Sequence, residues 1–139
     1  MTGLRRFLRC MCLLAVTACV RDREVARVPD PSGRVVAVVR SRNGGATTSV
    51  LYVVHLAERG EEWKGSETVA ELYGATIAGH SYGIGVRWVG PDTLELQAST
   101  VRDTSFLASV AEAAGIRVHV RLAPYAPSTH PTLTLPEYP

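Results

Sequence analysis

Gly79-His80-Ser81-Tyr82-Gly83 sets a serine beside a histidine between glycines, the Gly-x-Ser-x-Gly spacing of a nucleophile elbow. A serine hydroxyl becomes a nucleophile when a histidine takes its proton and a carboxylate orients that histidine. Asp92 and Asp103 are the carboxylates that would fill the third role for Ser81 and His80. An elbow joins a strand to a helix, whereas the residues after Ser81 favour a strand with Gly85 inside it. A chance spacing in a glycine-rich stretch is the simpler reading, and a small serine hydrolase using Ser81 and His80 stays as the alternative to a non-enzymatic protein. Gly44-Gly45-Ala46-Thr47-Thr48 is the second candidate. Consecutive backbone N–H groups with nearby hydroxyls form a nest able to hold an anion, which makes Gly44, Gly45, Thr47 and Thr48 the candidate binding loop. A phosphate loop needs Gly-x-x-x-x-Gly-Lys-Ser/Thr feeding a helix, and no lysine follows here. A turn with a bulge, where glycine supplies positive φ, accounts for the same residues.

The four histidines, His55, His80, His119 and His130, are scattered, with no His-Glu-x-x-His and no cysteine beside them. No metal site and no cofactor is expected from that spacing. His119 alternates with apolar residues and belongs on a solvated face, while His55 suits either face. Trp63 lies in Glu61-Glu62-Trp63-Lys64. Exposed there it would anchor a protein partner or touch a membrane; folded back it would cover the sheet edge.

The chain has 139 residues, with 15 Lys+Arg and 13 Asp+Glu for a formal charge of +2. That balance argues against a nucleic-acid binder. The residues 1–18 have the shape of a secretory signal: Arg5, Arg6 and Arg9 precede the short apolar run Cys10 to Val16. The run is too short for a membrane span, which takes roughly 20 apolar residues. Removing it takes away three arginines and leaves 121 residues with 12 basic and 13 acidic, a charge of −1. Cys10 and Cys12 leave with the signal, so no disulfide framework is expected.

The elements that would position these residues are mostly strands. Asp30-Pro31-Ser32-Gly33 is a turn into the β-branched run 34–40, and 48–56 is rich in Val, Thr and Tyr. Asn43-Gly44-Gly45 between them predicts a hairpin. Thr68 to Tyr73 is a third strand. Ile84 to Ala98 predicts a second hairpin around Gly90-Pro91-Asp92-Thr93, with Val86 and Trp88 on one face and Leu94 and Leu96 opposite. Ile116, Val118, Val120 and Leu122 alternate with Arg117, His119 and Arg121 in a half-buried strand. Residues 105–114 are good helix formers followed by Gly115, and predict a turn or two of helix that packs Phe106, Leu107 and Val110 over a sheet end. Residues 123–139 carry five prolines and read as a disordered tail. The expectation is a mainly β, antiparallel sandwich or curled sheet of five or six strands over 32–122, with 19–31 as a tether.

Val16-Thr17-Ala18-Cys19 resembles the lipobox of bacterial lipoproteins. In that family the cysteine thiol takes a diacylglycerol and the signal is cut before it; palmitate is among the acyl chains that would report it. The resemblance implies that Cys19 is lipidated and holds the protein to the membrane outside the cytoplasm, in the outer membrane of a diderm. Ordinary cleavage after Ala18, giving a secreted or periplasmic soluble protein, suits the same small residues, and a buried helix of a cytosolic protein is the third reading. Asp30-Pro31-Ser32-Gly33-Arg34, Gly44-Gly45-Ala46-Thr47-Thr48 and Arg87-Trp88 through Leu94-Glu95-Leu96 together resemble an uncharacterised family of small bacterial exported proteins and lipoproteins. Its members carry a Ser-Pro-Asp-Gly-Lys start, a Gly-Gly-Ala-Thr-Thr block and a Trp…Leu-x-Ile hairpin. This chain departs at the start, with Asp and Ser exchanged. The resemblance implies a fold and no catalytic residue. A weaker likeness to β-propeller blades cannot extend to a ring, because closure takes at least four blades of roughly 40–50 residues. The functional expectation is a non-enzymatic envelope protein, binding or structural, that meets an envelope partner through a sheet face or edge; an inhibitor or immunity-type protein acting by loop insertion is a further alternative.

Overall fold

The computed structural model describes residues 21–45, 47–77, 81–126 and 132–134, with the backbone alone at 81 and 132–134. These residues form eleven strands and no helix. The first sheet is ordered β1 (Arg21–Pro29), β2 (Val35–Asn43), β3 (Leu51–Glu58), β4 (Glu67–Tyr73), β8 (Asp103–Leu107), every neighbour antiparallel. The second is ordered β11 (Thr132–Thr134), β6 (Ser81–Trp88), β7 (Thr93–Ala98), β10 (Ile116–Pro124), β9 (Val110–Ala113), with the two-residue β5 (Thr76–Ile77) also on β6. Within it β7 and β10 run parallel. The fold is a mainly β sandwich, as the alternating patterns require, with more and shorter strands than the five or six expected.

Local chemistry explains where the strands begin and which way they face. Asp30 is buried at the turn before β2. Its carboxylate accepts from the Ser32 N–H (3.2 Å), the Ser32 hydroxyl (2.5 Å) and the Val35 N–H (3.0 Å). Burial pushes that carboxyl up, and these hydrogen bonds outweigh it and hold the pKa below the ordinary value. Asp30 thus closes the turn with its side chain. β2 and β3 pair from Val35↔Glu58 to Arg42↔Leu51, the hairpin read from the sequence. Val35, Ala37, Val39, Tyr52, Val54, Leu56, Val69 and Leu72 face inward. From the other sheet come Ile84, Val86, Leu94, Leu96, Val118 and Val120. The predicted 84–98 hairpin has Val86 opposite Leu96 and Trp88 opposite Leu94. Trp88 also donates its indole N–H to the Val28 carbonyl at 2.9 Å, joining the second sheet to β1.

Three expectations are corrected. The residues 21–29 are not a tether but an edge strand, paired with β2 from Arg21↔Asn43 to Pro29↔Val36. Their charges hide the pattern, because an edge strand tolerates charge and its hold comes from main-chain bonds; Val25, Ala26 and Val28 supply the packing. The segment 105–114 is not a helix. Leu107 pairs with Ala70 in the first sheet and Val110 with His119 in the second. Two ladders outweigh the alanine-rich propensity, and Ala114 and Gly115, both at positive φ, turn the chain into β10. In the C-terminal stretch, Ala123 and Pro124 complete β10, and 132–134 pair with Gly83–Gly85; the other residues beyond 126 lie outside the described residues.

Candidate functional site

β8 is the far edge of the first sheet. It pairs with β4 on one side, and among the described residues no strand pairs with its other side. All five of its residues are exposed. Phe106 and Leu107 keep 45% and 38% of their surface in water, and Val110, just past the crossing to β9, keeps 43%. These three are the residues expected to pack over a sheet end, and the structure turns them outward instead. A groove of about 430 Å³ opens beside the start of β8, lined by Ala98, Val101, Thr104 and Leu122. The opposite edge, β1, carries Arg21, Asp22, Arg23, Glu24 and Arg27, the charge that ordinarily keeps other strands away. β8 has Asp103 alone. The N–H and C=O groups on the side of β8 that no described strand pairs, beside apolar side chains, suit addition of one extended strand.

The outer faces of the two sheets are covered in different ways. On the first, the chain after β3 returns over the sheet, so Trp63 packs on Val36, Val38 and Ala57. The loop is closed by the Ser66 N–H and hydroxyl, both donating to the Trp63 carbonyl. The Arg40 guanidinium lies 3.4 Å from the Trp63 ring centroid and pairs with Asp22 at 2.9 Å, which also pairs with Arg42 at 3.3 Å. His55 sits 5.4 Å from Trp63, its Nδ1 3.1 Å from the Thr68 hydroxyl. Burial lowers the His55 pKa, and the Arg40 charge lowers it further against the opposing pull of Asp22 and Glu71. Of the two readings left open for Trp63, the folded-back one is observed, over the sheet face rather than its edge.

On the second sheet, Arg87, Glu95 and Arg121 stand side by side on β6, β7 and β10. Glu95 is buried, and its oxygens accept from Arg87 Nε (2.7 Å), Gln97 Nε2 (2.7 Å) and Arg121 Nε (2.8 Å). Burial raises the Glu95 pKa, yet the three hydrogen bonds and the Arg87 charge outweigh it and leave it lowered. The carboxylate is fully engaged and free for no general-base role.

The residues singled out in the sequence are dispersed. Cys19, His80 and His130 lie outside the described residues. Ser81 opens β6 and Asp92 lies in the turn past its end, a strand length of about 23 Å away; Asp103 begins β8 in the other sheet. β5 precedes and β6 follows this segment, a strand-to-strand setting rather than strand-to-helix. In the Gly44-Gly45 loop the Gly45 N–H is taken by Asn43 Oδ1 at 3.0 Å, and the Gly45 carbonyl accepts both the N–H and the hydroxyl of Thr48, each at 3.1 Å. Gly45 has φ 121°, where a side chain would be strained. Thr47 is exposed. His119 is exposed on β10, as its alternation requires. Among the described residues no three His, Cys, Asp or Glu side chains gather as a metal-holding group. The chain matches no protein-family model, and no curated protein or solved structure is significantly similar to it.

Proposed function

We propose that this protein is a lipid-anchored bacterial envelope protein, held through Cys19, that binds an extended segment of an envelope protein along β8. The observation that carries the binding reading is the unguarded β8 edge with Phe106, Leu107 and Val110 exposed beside it. Main-chain hydrogen bonds along the edge would supply affinity, and pockets beside alternate side chains would supply selectivity. The anchor reading is supported by Val16-Thr17-Ala18-Cys19 at the end of a signal-like leader. No nucleic acid, metal or cofactor enters this function.

A photo-crosslinking residue placed at Phe106 in intact cells tests the edge. A discrete adduct of one partner is expected, absent when Leu107→Lys is added and absent from a probe at Val89, another exposed apolar position. An adduct at twice the mass of the chain would instead make the occupant a second copy, and equal adducts from both probes would sink the assignment. Incorporation of labelled palmitate, abolished by Cys19→Ala, tests the anchor separately.

A further inference from the structure

β1 already includes Arg21, and its ladder to β2 begins at that residue, opposite Asn43. Only Val20 lies between the proposed lipid site, Cys19, and the first strand residue. Two Cα steps reach at most about 7 Å, which leaves no slack to hold the domain away from a membrane. The end of the sandwich at which β1 starts would therefore sit within roughly one Debye length (~8 Å) of the headgroups, where an anionic surface potential acts.

That end is basic. Arg21 and Arg23 are exposed and make no ion pair among the described residues. Arg42 flanks the same end of β2, and Arg102, exposed, reaches from the segment before β8 to donate to the Ser49 hydroxyl at 2.8 Å. Among the described residues Asp22 and Asp103 are the carboxylates there, and Asp22 is occupied by Arg40 and Arg42. The Gly44-Gly45 turn lies at this end as well, since it joins β2 to β3. At the other end of the same strands Glu58, Glu61, Glu62, Glu67 and Asp30 stand against Arg27, Arg34, Arg59 and Lys64, so that end is slightly acidic. The asymmetry runs along the strands, in the direction the short lipid linkage dictates.

We propose that the end bearing Arg21, Arg23, Arg42 and Arg102 docks on the anionic phospholipid headgroups of the membrane that holds the lipid. The strands then rise from the bilayer, and the free β8 edge is presented above it. The inference rests on the lipid-anchor reading and adds an orientation to it: the sandwich is not a ball on a string but stands on one end.

The test uses the full-length lipoprotein, extracted and reconstituted in vesicles of equimolar phosphatidylcholine and phosphatidylglycerol. A fluorophore is placed at Thr47→Cys or Glu62→Cys, and quenching by a headgroup-labelled nitroxide lipid is measured. Strong quenching is expected at 47 and weak quenching at 62. Arg21→Gln with Arg23→Gln should lower the docking equilibrium about 25-fold, a factor of about five for each headgroup-level arginine. Flotation with the vesicles should be unchanged, because the lipid remains. Pure phosphatidylcholine vesicles should abolish the difference between the two positions. Equal quenching at 47 and 62 in a palmitate-labelled, floating protein would overturn the orientation and leave the anchor standing. Absence of palmitate from the wild-type chain would remove the anchor and the orientation together.

Discussion

The outer faces of the two sheets solve one problem with different materials. Each must shield strand positions that a two-layer sandwich leaves facing water. The first sheet recruits a loop: Trp63 returns over Val36, Val38 and Ala57, and Arg40 lies against the indole between it and Asp22. Among the described residues the second uses no loop residue. It closes over itself through a row of charges, with Glu95 buried between Arg87 and Arg121 and bonded to Gln97. The first cover can lift as a unit, because it belongs to one loop. The second is distributed over three strands, so it opens only if the sheet itself does. The difference predicts that charge removal damages the second face and indole removal the first.

The largest effect is expected where a buried carboxylate loses its partners. Arg87→Ala with Arg121→Ala leaves Glu95, 3% exposed, without a cation. Breaking a buried pair from one side costs about 3–5 kcal/mol. Truncating two half-exposed arginines also admits water, so the lower end, about 3 kcal/mol, is expected. Urea unfolding measures it, and a loss under about 1 kcal/mol would mean that the row is as weak as an ordinary surface pair. Trp63→Ala should cost less, about 2 kcal/mol, from uncovered Val36, Val38 and Ala57 and the lost stack on Arg40. If Trp63 is a latch rather than a core residue, the variant should retain its cooperative transition and gain fast hydrogen exchange in 59–66 alone.

The sequence displays one of these faces better than the other. The turn at 90–93 sets the hairpin register, and that register puts Arg87 opposite Glu95. A cross-strand ion pair was therefore legible, although the burial of Glu95 was not, since a polar slot in an alternating strand reads as solvated. The parallel partnership of β7 with β10, which brings Arg121 in, has no local signal. The Trp63–Arg40 stack is 23 positions apart in the chain and depends on the path of a loop, which composition does not specify. The strands at 35–40 and 51–56 were readable as β-branched runs, buried on both faces, the 84–98 hairpin from its turn, and 116–122 from clean alternation with one face buried. β1 and β8 were not, because edge strands are held by main-chain bonds that leave no side-chain pattern. The β8 edge was further masked by the helix formers Ala108, Ala111 and Ala113, overruled by pairing in two sheets.

Acid should separate the faces on the pH axis. Folded His55 binds its proton below the ordinary value of 6.5. The stability it contributes is whole above pH 6.5, where folded and unfolded chains both hold it neutral. It is lost as pH falls from there through the lower pKa of the folded histidine. Glu95 follows the same sign from a lower start: its contribution is whole above the ordinary 4.5 and is lost as pH falls through its lowered folded value. The first face should therefore weaken first. A melting-temperature series from pH 7 to pH 5 should decline in the wild type and flatten in His55→Gln. An unchanged slope in that variant would place the sensitive group elsewhere.

The finest distinction lies inside the first face, between burial and the Arg40 charge as causes of the lowered His55 pKa. Burial is the larger cause and belongs to the Trp63 cover; the Arg40 guanidinium adds to it, while Asp22 and Glu71 pull the other way. Arg40→Met retains an apolar stem under the indole and removes the charge. Arg42 remains to pair with Asp22 at 3.3 Å, so the substitution strands no carboxylate. The His55 imidazole signals, followed by NMR titration, should then move their midpoint upward, toward 6.5 but short of it, because the cover is still in place. Trp63→Ala should move the midpoint upward by the other route, through water. If Arg40→Met leaves it unmoved, the guanidinium is only a spacer beneath the indole, and the first face is apolar in its energetics as well as in its covering.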